Sequence, residues 1–206
     1  MRKVVLSMMV SLDGFIAASD GNLDWFLSDA EFEEEMLGLL RSVDGMLFGR
    51  VAYQLLAEYW PTAGTSSAQE APGGFTSRQR EIEFARLMNE IPKTVYSRTL
   101  TKASWGPVTI ARAVCGEEIA SLKRERGKDL VLFAGGDIAS EFARQDLFDE
   151  YRVMIHPIVL GAGIPLFRDL KQERKLRLQR TRTFPSGVIL LQYARDAVPA
   201  IPRFAA

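Results

Sequence analysis

Three short segments of the chain combine small residues with polar or charged ones in a way that suits phosphate binding. They are Gly49-Arg50, Ser97-Arg98 and Gly135-Gly136, and each directly follows an apolar run of strand length. Glycine lets a backbone approach a phosphate closely, and free N–H groups at a helix start attract anions. Arginine adds a planar guanidinium that binds phosphate oxygens through two hydrogen bonds. We therefore predict a pyrophosphate site at Gly135-Gly136, and a phosphate monoester contact at the two arginines and Ser97.

An α/β sheet is predicted to position these segments, because short β-branched or apolar runs alternate with amphipathic stretches. The predicted strands cover residues 3–10, 45–48, 93–97, 108–111, 130–134 and 151–155. Ser28-Asp29-Ala30-Glu31 has the form of a capping box before the first helix. Residues 176–184 and 188–193, joined by Pro185-Ser186-Gly187, are typical of a hairpin. This pattern predicts a central sheet covered by helices on both faces, with an antiparallel hairpin at its end.

Ligands of open α/β sheets bind beyond the carboxyl ends of the strands, where all three segments are predicted to lie. Neither the Gly-x-Gly-x-x-Gly nor the Gly-x-x-x-x-Gly-Lys-Ser phosphate-binding pattern is present in the sequence. A tight turn and a solvated surface arginine would require the same residue types. Spacing alone therefore leaves both interpretations open.

Composition excludes several other classes of function. Lys and Arg together number 26, as do Asp and Glu, so no net charge favours nucleic acid or an anionic membrane. With one cysteine (Cys115) and one histidine (His156), a disulfide framework and a Cys- or His-rich metal centre are excluded, and we expect no metal. The apolar runs are too short to cross a bilayer, and no signal-peptide cleavage site follows the first strand. We expect a cytoplasmic protein with one domain, residues 1–195, and an irregular tail, residues 196–206.

Four motifs in order resemble the dihydrofolate reductase-like superfamily. They are Ser11–Ala17, Leu47–Tyr53, Phe133–Ile138 and Ile155–Phe167, and the likeness extends from Met1 to about Ala194. The closest branch is the one related to the C-terminal reductase domain of the bifunctional riboflavin-biosynthesis deaminase-reductase. The resemblance implies a three-layer fold with a mostly parallel sheet, and an NADPH-dependent reductase. Ala134 stands where many dihydrofolate reductases have a third glycine, and the zinc motifs of a deaminase half are absent.

The resemblance also implies where NADPH binds. Arg50 would meet the adenosine 2′-phosphate, Ser97 and Arg98 would close around it, and the Gly135-Gly136 turn would meet the pyrophosphate and ribose. The remaining implied cofactor contacts are Ala17 beside the nicotinamide, Gly49, Tyr53, Asp137, Ile138, Gly161 and Gly163. The loop from Gly14 to Trp25 would gate the substrate pocket, with Trp25 and Trp60 as candidate substrate contacts.

Reduction of a C=N or C=O bond also needs a proton on the heteroatom, and therefore an acid or an ordered water. Asp29 is our first candidate, because it lies on the apolar face of the first helix, whereas Glu33 lies at the edge of that face. An acidic residue at a helix start also offsets the helix dipole without any catalysis. Asp13 is the second candidate, although Asp-Gly is a common turn.

We therefore expect an NADPH-dependent reductase of a small heterocycle, most like the 5-amino-6-(5-phosphoribosylamino)uracil reductase of riboflavin biosynthesis. A pterin, a folate or another small carbonyl or imine compound is an alternative substrate. A nucleotide-binding module without turnover is the alternative from another functional class. We also expect a homodimer, in which residues 188–193 and the apolar tail pair across a twofold axis.

Overall fold

The structure, a computed structural model, describes residues 1–63, 65 and 74–196, so the predicted tail lies outside the described residues apart from its first residue, Asp196. The strands are β1 (Val4–Ser11), β2 (Phe15–Ala17), β3 (Val43–Gly49), β4 (Lys93–Tyr96), β5 (Val108–Ala111), β6 (Asp129–Phe133), β7 (Glu150–His156), β8 (Ile164–Pro165), β9 (Leu176–Thr183) and β10 (Ile189–Arg195). The helices are α1 (Ala30–Ser42), α2 (Arg50–Tyr59), α3 (Arg78–Glu90), α4 (Gly116–Arg124) and α5 (Gly136–Arg144).

Eight of the strands form one sheet in the order β5-β4-β3-β6-β1-β7-β10-β9. The pairings from β5 through β7 are parallel, and β10 pairs antiparallel with both β7 and β9. This confirms the predicted α/β fold with a mostly parallel sheet and a C-terminal hairpin. Because β10 lies between two partners, residues 188–193 cannot pair across a twofold axis as predicted. The homodimer itself stays a prediction.

The sheet separates two hydrophobic clusters, because successive side chains of a strand point to opposite faces. Along β1, Val5 joins the cluster beneath α1, α2 and α3, whereas Val4 and Leu6 join the cluster beneath α4 and α5. Met46 and Leu47 divide between the two clusters in the same way along β3. The three-layer arrangement therefore follows from strands that are apolar on both sides.

A second, two-stranded sheet formed by β2 and β8 was not predicted. Its strands have three and two residues, too few to establish an alternating pattern. Two glycines allow the close packing of this small sheet. A Cβ atom on Gly163 would lie 2.3 Å from the carbonyl oxygen of Ala17, and one on Gly136 would lie 2.4 Å from that of Pro165. The small sheet therefore ties the first loop to the start of α5.

The described residues contain neither a membrane-spanning helix nor a cluster of side chains suited to a metal ion. None of the helices there is long and apolar enough to span a membrane. Nor do three or more His, Cys, Asp or Glu side chains in that part of the chain come together in a group that could hold a metal ion.

Candidate functional site

The three segments that the sequence predicts to bind phosphate lie next to one another at the carboxyl edge of the sheet. They follow β3, β4 and β6, and β3 pairs in parallel with both of the others. Gly49 is in register with Tyr96, and Phe48 with Phe133, so the three chains leave the sheet at the same level. The turns after β3 and β6 also touch, because a Cβ on Gly49 would lie 3.0 Å from Cγ2 of Ile138. The fold thus brings together segments that are up to 89 residues apart in the sequence, from Gly49 to Ile138.

Two helices begin at this edge without a side-chain cap. Gly49 precedes α2 and Gly135 precedes α5, and neither helix start receives a side-chain hydrogen bond. The first N–H groups of a helix have no partner within the helix and carry a partial positive charge. A Cβ on Gly135 would meet no atom within 4 Å, so the backbone there faces open space. An anion can therefore approach the start of α5 directly.

The polar side chains at this edge differ in whether they already have hydrogen-bond or ion-pair partners within the chain. Arg50 and Arg98 are exposed, and neither forms an ion pair within the described residues; Arg50 donates to Gln54 at 2.9 Å. Ser97 is buried, and its hydroxyl oxygen accepts hydrogen bonds from the N–H groups of Thr99 and Leu100. Ser97 therefore shapes the turn, and the two arginines are the groups available to a ligand.

Arg112 supports the same turn and was missed by the sequence analysis. Its Nη1 donates to the carbonyl oxygens of Ser97, Arg98 and Leu100, at 3.3, 3.3 and 2.9 Å. The residue follows β5, and pairing of β5 with β4 brings it beside the loop. No local pattern identifies such a residue, because its partners are carbonyl groups of another segment.

Several predicted cofactor contacts have other roles in the structure. Tyr53 is 3% exposed, and its hydroxyl accepts a hydrogen bond from the N–H of Trp105 at 2.8 Å, so the hydroxyl binds another part of the chain. Ile138 packs against Gly49, and the Cα of Gly136 is covered by Pro165. Asp137 has a side chain that is 91% exposed, with Arg168 at 3.3 Å. Of the predicted contacts around the Gly135 turn, Gly135 itself has the most open surroundings.

Around the first loop, the predicted contacts mainly hold one segment against another. Ala17 is buried in β2, and its carbonyl oxygen covers Gly163. Gly161 has a φ of +73°, and its N–H donates to Asp13 Oδ2 at 2.8 Å. Asp13 also accepts from the Ser11 hydroxyl and the Leu160 N–H. The Ser11 hydrogen bond in particular holds the pKa of Asp13 below its ordinary value. Asp13 therefore anchors this loop through its carboxylate.

Asp29, the first candidate for the proton donor, is the N-cap of α1. Its Oδ1 accepts from the N–H groups of Glu31 and Phe32, at 2.9 and 3.0 Å, and its Oδ2 accepts from the Ser186 N–H at 2.9 Å. Burial alone would raise the pKa of Asp29, but the hydrogen bonds from Ser186 and Phe32 outweigh burial and lower it. The carboxylate joins α1 to the C-terminal hairpin and does not line the cavity described next.

An apolar cavity of about 150 Å³ lies beside the sheet, between its carboxyl edge and the helices of one face. Its walls come from β1, α1, α2, α3 and the segments 23–28 and 74–75. Trp60 and Phe84 stack in one wall, with ring centroids 4.8 Å apart, and Met9 and Phe26 contribute to others. Trp60, a predicted substrate contact, therefore lies in the wall of this cavity, and its role toward a substrate stays a prediction.

Among the described residues of the cavity wall, Glu33 carries the one carboxylate, and groups of other residues bind it. Glu33 is 2% exposed; it accepts from the N–H of Thr76 and from Nε of Arg80, each at 2.5 Å. The hydroxyl of Thr76 donates to its second oxygen at 3.0 Å. Both carboxylate oxygens are thus paired with groups from the loop before α3 and from α3 itself.

His156 fixes the loop that forms the mouth of the cavity. Its side chain is fully buried against Trp25, Phe26 and Phe32, and its Nδ1 accepts from the Leu27 N–H at 3.1 Å. Burial lowers the pKa of His156 to about 4, so the ring is neutral at pH 7. Trp25 packs on this histidine and does not line the cavity; Phe26 takes the place predicted for Trp25.

Comparison with known proteins places the chain in a family. A profile of the RibD C-terminal domain matches residues 2–190. Protein YyaP of Bacillus subtilis strain 168 is 35% identical over 192 residues, which cover 93% of this chain and 94% of YyaP. A second Bacillus subtilis protein, YwjB, is 32% identical over 198 residues, 94% of this chain and 98% of YwjB.

Solved structures agree in fold. A putative riboflavin biosynthesis protein from Shewanella sp. PV-4 has a TM-score of 0.71 and 24% identity, over 94% of this chain and 99% of that one. The Thermotoga maritima diaminohydroxyphosphoribosylaminopyrimidine deaminase/5-amino-6-(5-phosphoribosylamino)uracil reductase has a TM-score of 0.60 and 20% identity, over 95% and 57%. Enterococcus faecalis dihydrofolate reductase, complexed with NADP(H), has a TM-score of 0.58 and 12% identity, over 94% and 96%. With a dihydrofolate reductase-like fold and a family profile that spans nearly its whole length, the chain belongs to the RibD C-terminal domain family.

Proposed function

We propose that this protein is an NADPH-dependent reductase that delivers a hydride directly to a small organic substrate. The observation that carries the proposal is the carboxyl edge of the sheet. There, two uncapped helix starts and two exposed arginines lie on three adjacent parallel strands. Backbone N–H groups suit a pyrophosphate, and an arginine suits an additional phosphate monoester. NADPH is a cofactor that carries both groups.

The residues present fit this cofactor. Gly135 leaves open space at the start of α5, and its N-cap position lets the following N–H groups face a pyrophosphate. Arg50 stands at the first position of α2, where the 2′-phosphate would gain from both the guanidinium and the helix start. The Enterococcus protein of the same fold was solved with NADP(H), which supports the assignment.

The arrangement of α2 connects the proposed cofactor site to the cavity. The helix begins at Arg50, and Leu55 and Leu56, about one and a half turns further on, line the cavity. NADPH supplies the hydride when bound; the chain orients the acceptor and excludes water from it. Because Asp13, Asp29 and Glu33 are all engaged in hydrogen bonds, we propose that the proton comes from water.

The relatives suggest a first substrate to test. The Thermotoga protein includes a 5-amino-6-(5-phosphoribosylamino)uracil reductase, and the profile is that of the RibD C-terminal domain. A ribosylamino pyrimidine is therefore the substrate that family membership favours. The polarity of the cavity wall favours a different class of substrate, one without a phosphate.

The cofactor assignment is tested by titrating the protein with NADPH and NADH and following nicotinamide fluorescence. We expect NADPH to bind at least tenfold more tightly, because a charge-assisted hydrogen bond contributes roughly 1.5–3 kcal/mol. Arg50→Ala should remove most of that preference and leave NADH affinity unchanged. Arg86→Ala is the matched control, since Arg86 pairs with Glu90 on the surface of α3. Equal affinities in the unsubstituted protein would exclude NADPH as the specific cofactor.

A further inference from the structure

The cavity wall has the chemistry of an apolar binding site. Aliphatic and aromatic side chains form nearly all of the wall, and Ser28 and Glu33 are its polar exceptions besides the Tyr59 hydroxyl and the Trp60 indole. The Tyr59 hydroxyl donates to Glu81, and Glu33 is held by Thr76 and Arg80. An apolar cavity of roughly this volume in another protein stays dry and binds benzene. Water in this cavity would therefore find few partners, and an aromatic ring would find many contacts.

A phosphorylated substrate would find no cation here. None of the lining residues among the described ones is a lysine or an arginine. Arg80, the nearest basic partner of the wall, forms an ion pair with Glu33 at 2.5 Å. The whole segment from Pro61 to Ser77, which contributes Phe75 to the wall, contains neither lysine nor arginine. A phosphate placed in this cavity would be desolvated without a compensating charge.

A charged heterocycle would also find no free carboxylate among the described residues of the wall. A protonated or amidine-like ring would need an oxygen of Glu33, and both oxygens already accept hydrogen bonds from within the chain. The arrangement neutralises the charge of Glu33 against Arg80. The stacked pair of Trp60 and Phe84 instead offers a flat apolar surface.

We propose that the cavity takes a neutral, planar, apolar carbonyl or imine compound and discriminates against phosphorylated substrates. This assignment of substrate class rests on the proposed NADPH-dependent reductase function. For an aldehyde, the carbonyl carbon accepts the hydride and the oxygen accepts a proton from water. The C=O bond becomes CH–OH, and NADPH becomes NADP⁺.

Binding and turnover are tested separately, with probes that share the same substituted ring and differ in whether that substituent is a neutral ether or a phosphate. Calorimetric titration of the full chain compares 4-methoxybenzyl alcohol with 4-(hydroxymethyl)phenyl phosphate, which bind without reacting. NADPH oxidation is then followed with the corresponding aldehydes, 4-methoxybenzaldehyde and 4-formylphenyl phosphate. We expect the neutral member of each pair to bind, or to be reduced with a kcat/KM, at least tenfold better than the phosphorylated one.

A substitution at the mouth of the cavity sharpens the test. Leu55 lines the cavity but is 43% exposed, so α2 can tolerate a polar side chain there. Leu55→Lys should shift the binding preference toward the phosphorylated alcohol by about fivefold. This ratio of affinities corresponds to the interaction free energy of one charge pair that is screened by water. Leu55→Gln is the matched control and should leave the preference unchanged. Thermal unfolding of both variants establishes that they are folded.

The outcomes separate this inference from the function on which it rests. If NADPH binds with the expected preference and the phosphorylated probe binds as well as the neutral one, the substrate class is wrong and the reductase stands. The same conclusion follows if neither probe binds. If the neutral probe binds but NADPH shows no preference over NADH, the cavity is apolar as proposed and the reductase assignment fails.

Discussion

The carboxyl edge of the sheet and the cavity beside it are built in opposite ways. The edge consists of backbone turns after β3, β4 and β6, with exposed arginines and open space at Gly135. The cavity consists of side chains from three helices and two loops, and its charged group is already paired. The edge is therefore suited to a polar, charged ligand and the cavity to an apolar one. A reductase with a phosphorylated cofactor and a neutral substrate requires this division.

Substitution of the two adjacent glycines at the edge, Gly135 and Gly136, should have very different effects on stability, and Gly136→Ala should have the largest. Gly136→Ala places a methyl group 2.4 Å from the Pro165 carbonyl oxygen, so β8 or α5 must move. We expect the free energy of unfolding to fall by about 3 kcal/mol, the upper end for overpacking against rigid neighbours. Gly135→Ala meets no neighbour within 4 Å and should cost well under about 1 kcal/mol, although it should weaken NADPH binding.

Denaturant unfolding of both variants checks this prediction, with NADPH titration as the second measurement. If the two variants lose equal stability, the close packing of β8 on α5 is wrong. If Gly135→Ala binds NADPH as tightly as the unsubstituted protein, the start of α5 does not contact the cofactor.

On the cavity side, protonation of His156 is expected to have a smaller effect on the free energy of unfolding, and this effect depends on pH. The ordinary pKa of histidine is 6.5, and burial lowers the pKa of His156 to about 4, so between these values the unfolded chain binds a proton and the folded protein does not. Stability from the neutral ring is fully present above about pH 6.5 and is lost as the pH falls toward 4. Between pH 7 and pH 5 we expect a loss of about 2 kcal/mol.

His156→Asn is the control for this prediction, because an asparagine oxygen can accept the hydrogen bond from the Leu27 N–H but does not titrate in this range. The pH dependence between 7 and 5 should disappear in the variant. The range is favourable because His156 is the one histidine in the sequence and the carboxylates with lowered pKa titrate below it. An unchanged slope in the variant would assign the effect to other groups.

The difference between the edge and the cavity also decides what the sequence could predict. Strands, helices and the glycine turns follow from local patterns of a few residues, and the predicted fold was confirmed on that basis. The family resemblance implied the adjacency of the three turns, which sheet topology then provides. Tyr53 shows the limit of assigning a residue's role by family resemblance. Its motif matches the family, but its hydroxyl accepts a hydrogen bond from Trp105, 52 residues further along the chain.

The cavity could not be predicted from local patterns, because its properties depend on which distant groups pair. Glu33 was placed at the edge of the apolar face of α1, and that face does turn toward the cavity. Nothing around Glu33 in the sequence reveals that Arg80 and Thr76 would bind its carboxylate. Similarly, Asp29 was predicted to face the pocket, whereas its second oxygen accepts from Ser186, 157 residues away. Short side chains at helix starts are ambiguous in this way, since capping and catalysis use the same carboxylate.

The smallest expected effect distinguishes these two uses of Asp29. The amide oxygen of an asparagine can still accept from Glu31 and Phe32, but its amide nitrogen cannot accept from the Ser186 N–H, so Asp29→Asn should lower the free energy of unfolding by about 1 kcal/mol at pH 7. Asp29→Ala loses all three bonds and should cost about 2 kcal/mol. Neither change should alter the pH profile of kcat, because the carboxylate does not line the cavity. A turnover rate that falls at least tenfold in the folded Asp29→Asn variant would restore Asp29 as the acid, because the loss of one structural hydrogen bond from Ser186 has no reason to slow catalysis to that extent.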